Sequence, residues 1–256
     1  AASDVYKRQT YGIEISTSRV KEAVQVLQGH FVSKEAEYQK YCQIDILEND
    51  PAGMIKRLQS YTERLTHIPF YTQVEDIIKV GIARYKEKYL PGIKSEDPFV
   101  LYEKYSRRDV SLLMNCGKDL SSIMYGMKRI ENDVFIFITY HKEESQDEKN
   151  YVDGKPDYAD AFEDNLIFKW DSQIGKGLDS SYMKDVLGAD RKHLFVKKSD
   201  AETSFYYMGQ FDVLEARNAQ KEDNRGRMQP ITKVTMKMHH AVREDLLRYL
   251  QSHITA

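Results

Sequence analysis

Apolar positions along the chain follow two spacings, and the change falls near residue 121. In the first third they recur every three or four residues, the period of an amphipathic helix. Val20, Val24, Leu27 and Phe31 follow Thr17 and Ser18, which can serve as N-caps. Ser33 can open a second helix through Tyr38 and Tyr41, and Pro51 suits a first helical turn ahead of Ile55, Leu58 and Leu65. The clearest pattern runs from Tyr71 to Tyr89. There Val74, Ile77, Ile78, Ile82 and Tyr85 form one apolar face, and Pro91-Gly92 ends it. A helical connector over residues 10–92 is expected. After a turn-rich boundary at 93–98, Phe99 to Tyr105 and Ser106 to Met114 read as two short helices. Ser106 and Asp109, at capping-box spacing, open the second.

Beyond Ser121 the period shortens to two. Tyr125 to Ile130 and Val134 to Tyr140 flank the turn Glu131-Asn132-Asp133, a hairpin signal. Further strands are expected at Leu166 to Trp170, His193 to Lys198, Ser204 to Met208, Gln210 to Ala216 and Ile231 to Met238, with Ser199 to Thr203 as a connecting turn. Helices are expected at Ser180 to Leu187 and, closing the chain, Val242 to Leu250. The fold class is α+β: an N-terminal helical connector, then residues 93–256 as a mixed, mostly antiparallel curved sheet or small β-barrel with a C-terminal helix.

Composition narrows the function classes. The 256 residues carry 38 Lys and Arg against 40 Asp and Glu, which excludes a wholly basic nucleic-acid binder but not a locally basic face. With 41% hydrophobic and 30% charged residues the chain is neither a disordered tail nor a membrane protein. Two cysteines, Cys42 and Cys116, give no disulfide framework and no cysteine-rich zinc site, so a reducing, cytoplasmic setting is expected. Ser3 to Gln9 (SDVYKRQ) looks like translated sequencing adapter; residues 1–9 are set apart as a non-native leader, with the natural chain expected to continue upstream. Charge is uneven in the second half. Lys142 to Asp164 holds nine acids and three lysines, whereas Arg217 to Lys237 holds six bases and two acids. Solvated surface explains such runs; so does a basic segment that tracks phosphates beside an acidic loop that does not.

Enzymatic parts are scarce. No phosphate-loop frame precedes Gly175-Lys176-Gly177, no HExxH occurs, and Lys142 directly follows His141 where an H-x-K nuclease needs a spacer. The near match to a metal-dependent nuclease is Asp153-Gly154-Lys155. Neither a catalytic group, a metal nor a cofactor is expected in this chain. What does recur is aromatic and hydrogen-bonding residues at strand ends. Tyr140, His141, Phe168, Trp170, Ser172, Gln173 and Tyr206 could stack a nucleobase and read its edge. Arg107, Arg108, Lys197, Lys198, Arg225 and Arg227 could hold phosphates. The same aromatics would equally fill a core, and the same cations would equally sit in solvent.

Several of these segments also occur in a familiar order. They are Phe99 to Val110 (FVLYEKYSRRDV), Tyr125-Gly126, Phe137 to Lys142 (FITYHK), Phe168 to Gln173 (FKWDSQ), His193 to Asp200 (HLFVKKSD), Phe205 to Gly209 (FYYMG) and the closing helix. Together they resemble a bacterial family, domain of unknown function 3427, over Phe99 to Leu250. Asn115-Cys116 departs from the pattern, which has Asn-Trp there. The resemblance implies a domain lying C-terminal to a DEAD/DEAH-box superfamily II helicase, in proteins that resemble type IV restriction enzymes of phage defence, which cut DNA carrying modified cytosine. It also implies that DNA and the upstream helicase domain of the same chain are the partners. The expected function is a non-catalytic DNA-recognition module that reads modified cytosine. Two alternatives stay open at this point. One is a structural coupler or homodimerisation module; the other is a cryptic metal-dependent nuclease using Asp153 or the acids around Asp160.

Overall fold

The computed structural model describes residues 23, 25–29, 31, 46–49, 55–88, 97–141, 151–152, 155–156, 160–223 and 225–252. Contacts divide the chain into two units, residues 1–91 with 111–120 and residues 92–110 with 121–256. The leader at 1–9, the helix expected at Ser33 to Tyr41 and the pair Asp153-Gly154 lie outside the described residues.

In the first unit, a helical turn at Gln25–Leu27 ends at Gly29, whose φ of 74° only glycine adopts without strain. Phe31 therefore lies past the helix its spacing predicted, and its backbone accepts from Asp119 N–H at 3.0 Å. The reading of Pro51 to Leu65 as one helix is corrected. Leu47–Asn49 (β1) and Ile55–Arg57 (β2) pair antiparallel, and the helix begins only at Gln59. Ile55, with β-branched stiffness, belongs to the strand rather than to a first helical turn. Gln59–Leu65 (α1) is followed at once by Ile68–Lys88 (α2), a 21-residue helix that contains the strongest periodic face of the sequence.

In the second unit the expected helix at Phe99 to Tyr105 is also corrected. Asp97 accepts from the Phe99 N–H, Tyr102 takes φ 67°, and the segment ends as a two-residue strand, Lys104–Tyr105 (β3). Side-chain pull outweighed helix periodicity there: the rings of Phe99 and Tyr105 lie edge to face 5.4 Å apart, both buried. Arg107–Leu113 (α3) forms as its capping box predicts. Asp109 Oδ2 accepts from the Ser106 N–H at 2.7 Å while Ser106 Oγ accepts from the Asp109 N–H at 3.1 Å.

Met127–Ile130 (β4) and Asp133–His141 (β5) form the predicted hairpin, with Glu131 at φ 52° in its turn. Two short pieces, Tyr151–Val152 (β6) and Lys155–Pro156 (β7), pair with each other. Ala161–Phe162 (β8), Ile167–Asp171 (β9), the helix Ser181–Leu187 (α4), Arg191–Ser199 (β10), Phe205–Glu222 (β11), Met228–Met238 (β12) and Glu244–Gln251 (α5) complete the unit. The two strands expected at Ser204 to Met208 and Gln210 to Ala216 are one 18-residue strand, β11. Gly209, at φ 100°, stands where β11 skips one residue in its pairing with β10 between Leu194 and Phe195, and a Cβ there would meet Leu101 at 2.9 Å.

The sheet order is β4-β5-β10-β11-β12-β9-β8, with β3 on β11. It is mixed: β5 and β10 run parallel and the other pairs antiparallel. Its end strands β4 and β8 do not pair, so the curved sheet stays open and the small barrel is not formed. The apolar run of β5 is buried on both faces, as a central strand must be. One face, with Val134, Ile136, Leu194, Phe168, Trp170 and Met236, packs against α4 and α5 through Met183, Val186, Leu246 and Leu250. The other carries Phe135, His193, Phe195 and Tyr207, with Phe99 laid across them at centroid distances of 5.2–5.9 Å.

Candidate functional site

Strand alternation sorts β9, β12 and β11 into two faces. Phe168, Trp170, Val234 and Met236 point into the core. The residues between them, Lys169, Asp171, Lys233 and Thr235, turn the other way, and β11 adds Glu215, Arg217 and Lys221 to the same side. Register sets them in rows. Asp171 pairs with Lys233 and Lys233 with Arg217, while Lys169 pairs with Thr235 and Thr235 with Glu215. These rows line an open cleft of about 400 Å³.

Two cations directly opposite on a ladder, Lys233 and Arg217, repel unless an anion lies between or beside them. Asp171 supplies one such charge: Lys233 Nζ stands 3.8 Å and Lys221 Nζ 4.0 Å from its carboxylate. Arg217 leans on Glu215 at 3.8 Å, and Lys169 bridges Thr235 at 3.2 Å and Glu163 at 3.2 Å. Past the Asp171–Lys233 row, β11 and β12 continue as a two-stranded arm to the pair Glu222 and Met228. Asp223 organises the tip. Its carboxylate accepts from the Arg225 and Arg227 N–H groups and from the Arg227 side chain, and these bonds, the Arg227 backbone's first, hold it below the usual carboxylate range. Arg225 and Arg227 thus sit together at the exposed end of the arm.

The other residues singled out in the sequence are scattered over the second unit. Phe168 and Trp170 are buried in the core, the Trp170 ring 6.3 Å from that of Tyr182. Ser172 is a backbone tie: its Oγ donates to Lys176 O and accepts from the Thr232 N–H, fastening the segment after β9 to the base of the arm. Gln173 is exposed and its amide donates to Tyr125 O at 3.2 Å. Tyr140 is buried, its phenol pushed up by burial despite hydrogen bonds with Phe162 and Gln251. His141 meets the last carbonyls of α5 at Leu250, 2.8 Å away.

Tyr206, Lys197 and Lys198 gather around Glu202. Lys104 sits over the Tyr206 ring at 4.5 Å and binds Glu202 at 2.8 Å. Lys197 is mostly covered and reaches Glu202 O and Asp200, and Lys198 lies over the Tyr249 ring. Burial would raise the Glu202 carboxyl, but bonds from Lys104, Lys198 and Tyr249 outweigh it and hold it low. Arg107 stands elsewhere, 4.9–5.6 Å from the rings of Tyr125, Phe137 and Phe205, and burial lowers the pKa of its guanidinium. Arg108 follows it in the first turn of α3, exposed. The sequence candidates therefore do not converge on one pocket. Arg225 and Arg227 sit at the tip of the arm; the aromatic set and the remaining cations are spread over the core and other edges of the unit.

Among the described residues, no three His, Cys, Asp or Glu are grouped to hold a metal ion, and no helix is long and apolar enough to cross a membrane.

The family model of DUF3427, a domain of unknown function, matches residues 99–250, more than half of the chain. This chain belongs to the DUF3427 family. A second model, DUF8090, also a domain of unknown function, matches residues 4–89, including most of the segment set apart as a leader. No curated protein matches the DUF3427 chain. Solved structures that do match include Arabidopsis thaliana SUVH6 in complex with SAM, at 9% identity and TM-score 0.37 over 60% of this chain and 28% of that one. A complex of the sulfur-binding and SRA domains of ScoMcrA with phosphorothioated DNA matches at 10% and 0.31, over 60% and 45%. MspJI restriction endonuclease with a 27-mer oligonucleotide matches at 9% and 0.28, over 49% and 40%. The DUF3427 chain thus spans less than half the length of each of these structures, and likeness at this level bears on neither ligand nor chemistry.

Sequence reasoning about the DUF3427 chain passed over Lys169 and Asp171 and did not join them to Arg217, Lys221 and Lys233. Their signal was present as alternation: Lys169 and Asp171 are the polar positions between and after Phe168 and Trp170. Seeing the cleft required the register of β9 on β12, which no local spacing encodes.

Proposed function

We propose that this DUF3427 chain is a non-catalytic, cofactor-free DNA-recognition module, and that its DNA-facing surface is the cationic side of β9, β12 and β11 with the arm. One observation carries the reading: Lys169, Lys233, Arg217 and Lys221 share one face, and the arm that carries Lys221 ends in Arg225 and Arg227. A β-ribbon with cations along one side fits a groove or tracks a phosphate backbone. The acids interleaved on the face keep sequence-blind affinity moderate, which suits a reader more than a clamp. Modified cytosine as the target, and a helicase-type restriction protein as the parent, rest on the ordered motifs alone.

Replacing Arg225 and Arg227 together by Ala is expected to weaken binding to every duplex alike and to flatten the salt dependence by about two phosphate contacts. Reversing Arg217 and Lys233 to Glu is expected to abolish duplex binding in a chain that still melts cooperatively. Unchanged affinity at low salt in either variant would remove this face from the interface. The coupler reading draws on a different feature. Helix α2 exposes Ile77 at 72% along with Ile78, Ile82 and Tyr85, and self-association through that face would show in sedimentation and vanish with Ile77→Lys.

A further inference from the structure

Within the cationic face, the geometry points to a phosphate subsite formed by Lys221, Lys233 and Arg217, in which the Asp171 carboxylate is an internal stand-in for the anion. The inference rests on the proposed DNA-facing role of this surface and adds to it a defined anion position and a residue that sets its strength.

Distances make the first argument. Elsewhere in this unit Arg191–Asp133 and Lys104–Glu202 close to hydrogen-bond length, at 2.7 and 2.8 Å, whereas on this face even Arg217 stands 3.8 Å from Glu215. Both lysines stay at 3.8 and 4.0 Å from Asp171, beyond the range of a charge-assisted hydrogen bond. They come from different strands and share one acceptor loosely. Burial makes the second argument. The Asp171 side chain lines the cleft and is 10% exposed, whereas Lys233 and Lys221 are 43% and 49% exposed. An anion arriving from solvent meets the ammonium groups first and can draw them outward from Asp171. Register makes the third: Arg217 stands directly across the ladder from Lys233, so two cations face the same gap.

A phosphate is the anion this arrangement suits. Its oxygens can accept from three donors at once, while the Asp171 carboxylate limits the strength of the contact. Asp171 then acts as a brake. Each phosphate contact must displace an internal ion pair, so non-specific DNA is released quickly and tight binding requires contacts elsewhere.

The test is a titration of the full chain with inorganic pyrophosphate, read by fluorescence of Trp170, the one tryptophan, which precedes Asp171 on β9. Asp171→Asn is expected to bind pyrophosphate and non-specific duplex about threefold to fivefold more tightly than wild type. That gain should disappear when Lys221→Gln and Lys233→Gln are combined with it, since the three residues act as one unit. Equal or weaker binding by Asp171→Asn, or a gain that persists without the lysines, overturns the inference. If Asp171→Asn melts early, the lysine variants alone decide: each must lose pyrophosphate about threefold, and retention overturns it. Pyrophosphate binding without duplex binding would keep the subsite and remove the DNA reading. Duplex binding that Asp171→Asn leaves unchanged would remove the subsite and keep the reading.

Discussion

Asp133 is almost wholly buried, yet its carboxyl lies below the usual carboxylate range. Burial alone would raise it; hydrogen bonds from His193 Nε2 at 2.8 Å and Arg191 at 2.7 Å outweigh that. The chain of contacts continues from His193 Nδ1 to the Tyr207 hydroxyl at 3.0 Å, and from that hydroxyl to Asp97 at 2.6 Å. Burial, then Asp97, push the Tyr207 phenol far up, so it stays neutral and donates. Removing the middle of such a chain takes one partner each from Asp133 and Tyr207 and opens a cavity against the rings of Phe135 and Phe99. His193→Ala is expected to cost about 3–5 kcal/mol in urea unfolding. The pH dependence has a definite sign. A depressed carboxylate stabilises the fold above its unfolded pKa, and that contribution is lost as pH falls through the lower folded value. Stability should therefore fall on the acid side of the ordinary carboxylate range, and Asp133→Asn should flatten that fall. A wild-type urea midpoint constant through the acid range would show that the network contributes nothing.

At the scale of elements, the arm is separable from the sheet that supports it. Its register runs without interruption from Ala216 and Val234 to Glu222 and Met228, and beyond Gln220 and Pro230 none of its described side chains is large and buried. Replacing Lys221–Gln229 by Asn-Gly, the turn pair that hairpins favour, should leave the melting temperature within a few degrees. Duplex affinity at low salt should fall by about tenfold or more, because Lys221, Arg225 and Arg227 leave with it. Intact affinity would move the interface off the arm. Much of this architecture was legible in the sequence: the hairpin at Glu131–Asp133, the Ser106–Asp109 capping box, α2, α4 and α5 all follow local pattern or turn chemistry. Errors came where tertiary contact overrode local period. Phe99, Leu101 and Tyr105 carry apolar spacing that suits a helix, but Phe99 is drawn onto the rings of Phe135 and Phe195 and the segment turns instead. The site was less legible than the fold. Trp170, Phe168 and Tyr140 have the residue types of a base pocket, yet on a two-faced sheet such residues first fill the core. The cations that share a face lie up to 64 residues apart, from Lys169 to Lys233.

For the whole molecule, the near-zero net charge of −2 conceals an uneven distribution of charge along the chain. Nine acids fall between Lys142 and Asp164 in the sequence, whereas Arg217 and Lys233 line the cleft and Lys221, Arg225 and Arg227 lie on the arm. The central claim is that the cleft and arm meet DNA. The most direct measurement is the affinity of the full chain for matched duplexes, unmodified and carrying 5-methylcytosine or 5-hydroxymethylcytosine, across a salt series. The account predicts that log affinity falls linearly with log salt, with a slope of about −3 to −5 for three to six phosphate contacts, and that modified duplex binds more tightly at every salt. A folded chain that binds no duplex at low salt would contradict it.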